Sequence, residues 1–313
     1  MATSTAVGAV RVRPQASTGL WREAWGRLRK NKLALLGLVG VGLLMFAAVF
    51  GPILAPYPYQ DQDLVAIAAH KFKPLPPGSP GHLLGTDQLG RDLLSRILDG
   101  AQISMTVALV VQFVVLFVGV PIGAAAGWFA GRVDSFLMRF TDIIYAFPDL
   151  LFIILLSVTL RDTILGQALN GLLLVFIAIG LTSWVTVARL VRGQMLSLKE
   201  TEFVEAAKAI GVTDRRIVTR HLLPNGNGPI IVAITLGIPG AILAEATLAY
   251  IGVGVQAPRA SWGSLVAEGQ KYVRSDPHLV IIPALCIAFA LISFTFLGDG
   301  LRDALDPKLK GKQ

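Results

Sequence analysis

The chain has 313 residues, of which 54% are hydrophobic and only 15% are charged. Soluble domains carry about 25% charged residues, so this composition excludes an ordinary soluble protein and predicts an integral membrane protein. The net charge of +8 would suit nucleic-acid binding, but the basic residues lie in the connections between apolar segments, and we predict no nucleic-acid partner. The chain lacks a GxxxxGK phosphate-binding loop, so we do not expect it to hydrolyse ATP.

The first third of the chain combines a basic start, an apolar segment and a long polar connection. Residues 1–32 are predicted to form a tail and then an interfacial helix. The charge-free segment 33–55 is long enough to cross a bilayer, which takes about 20 residues. The polar connection 56–102 holds several prolines, which make its middle non-helical.

The end of that connection, from about Asp87 to Asp99, has the pattern of an amphipathic helix. Asp87 with Arg91, and Asp92 with Arg96, are four residues apart with the acid first, which is the favourable orientation on a helix. We therefore predict two ion pairs along this helix.

Five more apolar segments follow, so we predict an all-α membrane protein with six transmembrane helices. Their bounds are about 33–55, 103–130, 140–160, 168–188, 229–251 and 279–297. The second contains Gly119, Gly123 and Gly127 at every fourth position, a ridge of small residues that permits close helix packing.

Six spans place both termini on one side of the membrane, and the distribution of charge predicts which side. The connections on the side of the termini hold 20 Lys and Arg residues, and the opposite connections hold 8. By the positive-inside rule, the termini, the connection 189–228 and the tail 299–313 are predicted to be cytoplasmic. The connections 56–102 and 252–278 are then extracytoplasmic.

The connection 189–228 is predicted to hold two short helices. The first begins near Ser197 and ends at Gly211, since glycine adopts the left-handed conformation at low cost. The second follows and carries an apolar stripe that includes Ile217 and Leu222, beside exposed arginines. Two interpretations fit this pattern: an amphipathic helix on the membrane surface, or a helix pair that docks into a groove on a partner protein.

The spacing of Glu205, Ala206, Ala207, Gly211 and Pro224 resembles the EAA loop of ABC importer permeases, a coupling helix that rests on an ATPase subunit. Four further blocks are similar to the dipeptide and oligopeptide branch of this family. They are RLRKNKLALLGL, GTDQLGRDLLSRILDGAQIS, EATLAYIGVGVQAPRASWG and FLGDGLRDALDPKLK. Together they run from about Arg27 to Lys310 and are most similar to the "C" permease subunit of that branch.

The resemblance implies the type I importer permease fold and one half of a translocation pathway for di- or oligopeptides in the bacterial inner membrane. The implied partners are a homologous second permease, two ATPase subunits and an extracytoplasmic solute-binding protein. No cofactor or metal is expected in this chain, because the ATPase subunits would bind ATP and Mg²⁺. The implied ATPase-coupling residues are Glu205, Ala206, Ala207, Gly211, Ile217, His221, Leu222 and Pro224.

Two alternatives remain open at this point. Importers of nickel chelates, glutathione and haem share the same blocks, so the substrate is not fixed. An ion-coupled secondary transporter would need ionisable residues inside the membrane and inverted repeats, and the chain shows few of the former and no visible repeat.

Asp149 and Glu245 are the predicted pathway residues. Asp149 lies twelve residues before Arg161, so a helix places it about 18 Å from the outer end of its span. A carboxylate at that depth is costly unless it faces a wet cavity or a partner, such as the neighbouring permease, Thr182 or Thr186. Glu245, near the end of its span, is expected either to be hydrated at the interface or to line a gate.

Overall fold

The structure, a computed structural model, describes residues 20–306 as helices joined by connections, the longest between α3 and α4, with no strands in that part of the chain. Residues 1–19 and 307–313, which are parts of the predicted segments 1–32 and 299–313, lie outside the described residues. The helices are α1 (Leu20–Lys30), α2 (Lys32–Leu54), α3 (Leu64–Ala69), α4 (Leu93–Val114), α5 (Val120–Phe129), α6 (Gly131–Ala146), α7 (Asp149–Leu160), α8 (Ile164–Gln167), α9 (Leu172–Lys199), α10 (Glu202–Ala209), α11 (Asp214–Ile217), α12 (Leu223–Asn225), α13 (Asn227–Tyr250), α14 (Trp262–Gly269) and α15 (His278–Leu305). Turns of π-helix join α4 to α5 (Val115–Gly119) and α11 to α12 (Val218–Leu222).

Five helical stretches among the described residues are long and apolar enough to cross a membrane. They are Lys32–Leu54, Leu93–Phe129, Ile164–Lys199, Asn227–Tyr250 and His278–Leu305. The second begins ten residues earlier than predicted, because the Asp92 side chain caps α4 by accepting a hydrogen bond from the Ser95 backbone N–H at 2.8 Å. The fourth continues to Lys199, so the connection after it is shorter than the predicted 189–228.

The predicted third span, 140–160, is not one helix. α6 and α7 are bent by 79° at a break that contains Pro148. Proline lacks a backbone N–H and forces the preceding residue out of the helical region, and Phe147 is extended, with φ −80° and ψ 133°. With 12 residues, α7 is only about 18 Å long and cannot cross a bilayer core of about 30 Å alone.

The glycine ridge predicted in the second span packs against α9. A Cβ added at Gly119 would lie 2.9 Å from the Trp184 carbonyl oxygen, and one at Gly127 would lie 2.5 Å from the Met195 Cβ. The two backbones therefore approach more closely than any larger residue permits.

Both described chain ends lie at the end of the bundle that holds α10. Arg27 of α1 donates a hydrogen bond to the Asp306 carbonyl oxygen at 3.1 Å. At the same end, Lys199 donates to the Trp128 carbonyl oxygen at 2.5 Å, and Lys208 of α10 lies over the Trp128 ring at 5.0 Å. We call this the α10 end and the opposite one, where the connections 56–92 and 251–277 meet, the α14 end.

Candidate functional site

The segment 202–225 is built from short helices between α9 and α13. α9 runs through the predicted start at Ser197, and α10 begins instead after Thr201, which adopts an extended conformation. Gly211 ends α10 as predicted, with φ +77°. Thr213 precedes α11, whose first turn contains Asp214, where a negative charge suits the helix dipole.

One face of this segment is buried in the chain's own core. Val204, Ile217 and Leu222 have no exposed surface, and Ala207 is 8% exposed. These side chains belong to the same apolar cluster as α9 and α13. The apolar stripe therefore anchors the segment to the bundle, and Ala207, Ile217 and Leu222 are not available to a partner as the sequence pattern suggested.

The other face is exposed. It includes Glu205, Ala206, Gly211 and Pro224, whereas His221 is half-buried. Ile210 is 80% exposed, which is unusual for so apolar a residue at the tip of a charged segment. On the same segment, an open depression of about 350 Å³ is lined by Thr213, Arg215, Arg216, Thr219 and Arg220. The sequence did not predict that Ile210 is exposed, because its exposure depends on how the buried face of the segment packs against the bundle.

A second feature is a cavity of about 470 Å³ between α4, α7, α9 and α13. Apolar side chains such as Ile153, Ile179 and Leu236 form most of its wall. Its polar groups are Gln112, Asp149, Thr182, Ser183 and Thr186. The cavity therefore offers a carboxylate, an amide and three hydroxyls on an otherwise apolar surface, a composition typical of a ligand site.

Asp149 is exposed at the start of α7 and lines this cavity. Thr182 and Thr186 line it too, but the Thr182 hydroxyl donates to the Ile179 carbonyl oxygen at 3.2 Å. Within the described residues, Asp149 has no hydrogen-bond or ion-pair partner. The alternative of a structural bond to a threonine of the same chain is therefore not formed, while a bond to a neighbouring permease stays open.

Glu245 is only 1% exposed and is absent from the cavity wall. Ser104 of α4 donates a hydrogen bond to its Oε2 at 3.3 Å, and its Oε1 is buried without a partner among the described residues. The hydrated interfacial carboxylate expected from the sequence is therefore wrong, because α4 and the start of α14 cover this position. A gate-lining role remains a prediction.

A cluster of buried charges joins two connections at the α14 end. The Arg96 guanidinium, 1% exposed, contacts Asp87 at 2.7 Å and Glu268 at 2.7 Å. Arg91 contacts Asp87 at 2.6 Å and Glu268 at 3.1 Å. Burial alone would raise the pKa of Glu268, but the hydrogen bonds and charges of Arg96 and Arg91 outweigh it and lower that pKa below its usual value.

Only one of the two predicted ion pairs in this region is formed. Asp87 pairs with Arg91, although both precede α4. Asp92 instead caps α4 and contacts the His82 imidazole at 2.9 Å. The sequence did not predict that Glu268 belongs to this cluster, because 172 residues separate it from Arg96.

Comparison with known proteins decides the family. Residues 119–311 match the family model described as "Binding-protein-dependent transport system inner membrane component". Residues 19–77 match "N-terminal TM domain of oligopeptide transport permease C". The first match covers more than half of the chain. The chain belongs to this family of ABC importer permeases.

The permease is similar to curated proteins along nearly its whole length. It is 40% identical to the oligopeptide transport system permease protein OppC of Bacillus subtilis over 294 residues, covering 94% of this chain and 92% of that protein. It is 42% identical to the dipeptide transport system permease protein DppC of the same organism, covering 92% of this chain and 86% of that protein. The resemblance to the dipeptide and oligopeptide branch is confirmed.

The fold is that of the type I importer permeases. The MetNI methionine ABC transporter in an inward-facing conformation matches with a TM-score of 0.55 and 17% identity, covering 66% of this chain and 94% of that chain. The permease is thus a multi-pass, non-catalytic membrane subunit of an ATP-driven importer, which works with a second permease and separate ATPase subunits. An ion-coupled secondary transporter is not supported.

Proposed function

We propose that the permease forms half of a pathway through which di- or oligopeptides enter the cytoplasm. In this proposal, two ATPase subunits dock at the α10 end, and an extracytoplasmic solute-binding protein delivers the peptide at the α14 end. The relatives' names support peptides ahead of nickel chelates, glutathione or haem. The docking site is inferred from the segment 202–225, because one of its faces is exposed and the other packs into the bundle.

The anchored face explains how ATPase movement would reach the pathway. The segment 202–225 continues directly from α9 and directly into α13. Both helices line the 470 Å³ cavity with Asp149 of α7. Because Val204, Ile217 and Leu222 fix the segment in the core shared with these helices, a displacement of the segment moves the cavity walls.

The docking proposal is tested by changing the exposed face. Glu205→Lys and Gly211→Asp should leave the protein inserted but lower the amount of ATPase that co-purifies with it, because a partner groove excludes a reversed charge or a bulkier side chain. A Cβ at Gly211 meets no atom within 4 Å, so the aspartate creates no clash inside the permease. It costs only about 1 kcal/mol of backbone strain.

Gly78→Asp is a matched control for Gly211→Asp. Gly78 has φ +83° and open space around it, but it lies in the connection at the α14 end. Its variant should bear the same strain and retain the ATPase. Wild-type transport and ATPase retention by both Gly211→Asp and Glu205→Lys would refute the coupling role.

The orientation is tested by thiol labelling of single cysteines in a Cys286→Ala background. Cysteines at Ser79 and Ser275 should react with membrane-impermeant reagents from outside, and a cysteine at Thr213 should react only after the membrane is opened. Thr213 and Ser275 are exposed. Ser261 is unsuitable as a probe, because its side chain is fully buried and caps α14. The reverse labelling pattern would invert the proposed topology.

Asp149 is proposed to contact the amino group of the passing peptide. Asp149→Asn should reduce uptake of peptides with a free amino terminus by roughly 10-fold, since hydrogen bonds to charged groups contribute about 1.5–3 kcal/mol. Uptake of N-acetylated peptides should change much less, and basal ATPase activity should persist. Equal losses of uptake for both kinds of peptide would show that the carboxylate does not bind the amino group.

A further inference from the structure

Gln112 of α4 is a buried polar residue that the permease itself leaves without a hydrogen bond. It is 6% exposed and lines the 470 Å³ cavity. Neither atom of its side-chain amide bonds to any described residue. Neither atom is among the fully buried polar atoms that lack a partner, so the amide keeps contact with the cavity space, where a ligand or cavity water completes its bonding.

The Gln112 amide packs closely against α13 at the cavity wall. Gly237 of α13 lies opposite, and a Cβ there would be 2.7 Å from the Gln112 Oε1 and 2.9 Å from its Nε2. Glycine at this position therefore provides the space that the amide occupies. The π-helical turn Val115–Gly119 begins three residues after Gln112, and such turns interrupt a helix frequently at functional sites.

The other polar groups of the cavity restrict the kind of ligand. The carboxylate of Asp149 suits an ammonium group, and the hydroxyls of Thr182 and Ser183 already donate to the Ile179 carbonyl oxygen, so they can act only as acceptors toward a ligand. The Gln112 amide offers a donor N–H and a separate acceptor oxygen side by side, whereas the Thr186 hydroxyl offers both only through a single oxygen. A peptide unit presents an N–H and a C=O that match this pair, whereas the apolar remainder of the wall accepts varied side chains.

We propose that Gln112 is a specificity-determining residue that hydrogen-bonds a backbone amide of the peptide inside the cavity. This inference rests on the proposed function and adds to it a site in the permease that recognises the peptide backbone. Selection by the solute-binding protein would then be followed by a second selection for amide-bonded substrates within the membrane.

The test uses the complete transporter in proteoliposomes supplied with ATP. The probes are radiolabelled dialanine and trialanine, and analogues in which an ester oxygen replaces a peptide N–H. For each probe, uptake by a variant is divided by uptake by the wild type, so that selection by the binding protein cancels. Gln112→Met should lower peptide uptake roughly 3- to 10-fold and ester uptake less than about 2-fold, since only the peptide loses the N–H bond.

A second variant leaves the amide in place. Gly237→Ala puts a methyl group against the Gln112 side chain and should produce the same preference for the ester, whereas Gly240→Ala meets no atom within 4 Å and should not. Gln167→Met, at an exposed glutamine outside the cavity, controls for the substitution itself. Equal effects on peptide and ester in both Gln112→Met and Gly237→Ala would overturn the inference while leaving the proposed function intact. Failure of the wild-type complex to import any peptide with ATP would overturn both.

Discussion

Replacing Gly123 by leucine is expected to abolish accumulation of the folded permease. A Cβ at this position would lie 2.8 Å from the Val191 Cβ and closer still to the Ala188 carbonyl oxygen. The obstacle at Ala188 is backbone, which cannot rotate away as a side chain can. α5 and α9 would have to separate along the whole glycine ridge, losing the packing that holds helices together in lipid, where burial of apolar surface contributes little.

Fluorescence-detected size-exclusion chromatography of detergent extracts measures this effect. We expect the monodisperse peak of Gly123→Leu to fall at least about 10-fold, since separating two packed helices costs more than the 1–3 kcal/mol of ordinary overpacking. Gly42→Leu in α2 is the matched control, because a Cβ at Gly42 meets no atom within 4 Å. A Gly123→Leu peak as large as that of Gly42→Leu would show that α5 and α9 are not in close contact.

Properties that depend on one segment alone were predictable. Long charge-free runs gave the apolar helices, and the four-residue spacing of Gly119, Gly123 and Gly127 identified a close helix contact that the structure contains. The left-handed Gly211 ended its helix as expected. In each case, the physical constraint acts over a few neighbouring residues, so the sequence displays it directly.

Properties that depend on what a face packs against were not predictable. The spacing of Ile217 and Leu222 indicates an apolar face, but it does not say whether that face meets a partner or the chain's own core, and the structure places it in the core. Glu245 was expected near water, yet helices distant in sequence cover it. The apolar run 140–160 predicts a single span, but Pro148 forces Phe147 into an extended conformation, and α6 and α7 are bent by 79° at this break.

The polar residues that line the cavity were also only partly predictable from the sequence. Asp149 was identified as a candidate pathway residue because ionisable residues are rare in apolar runs. Gln112 was not, since it carries no charge and lies inside the charge-free run 103–130. Only the packing of α4 against α13 reveals that the amide lies beside Gly237 without a hydrogen-bond partner.

The buried charges at the α14 end give the other large expected effect. Glu268→Gln should destabilise the contact between the two connections by about 1.5–3 kcal/mol, because it leaves the Arg96 and Arg91 guanidiniums with only one carboxylate between them, while the 33% exposure of Glu268 lets water screen part of the loss. The pKa of Glu268 is lowered in the fold, so its contribution is complete above the ordinary glutamate range and is lost only as the pH falls through the lowered value. The variant should therefore differ from wild type across the neutral range.

Hydrogen exchange of residues 87–96 and 262–269 measures that loss, because opening of the cluster exposes both segments together. Asp142→Asn is the control: it removes the Arg189–Asp142 pair, whose side chains are 40% and 64% exposed, and should cost less than about 1 kcal/mol. The double variant Arg96→Met with Glu268→Met should recover most of the protection, since it restores neutrality with apolar groups of similar size. Exchange that rises as much in the double variant as in Glu268→Gln would mean that the cluster stabilises this end through its shape rather than through balanced charge.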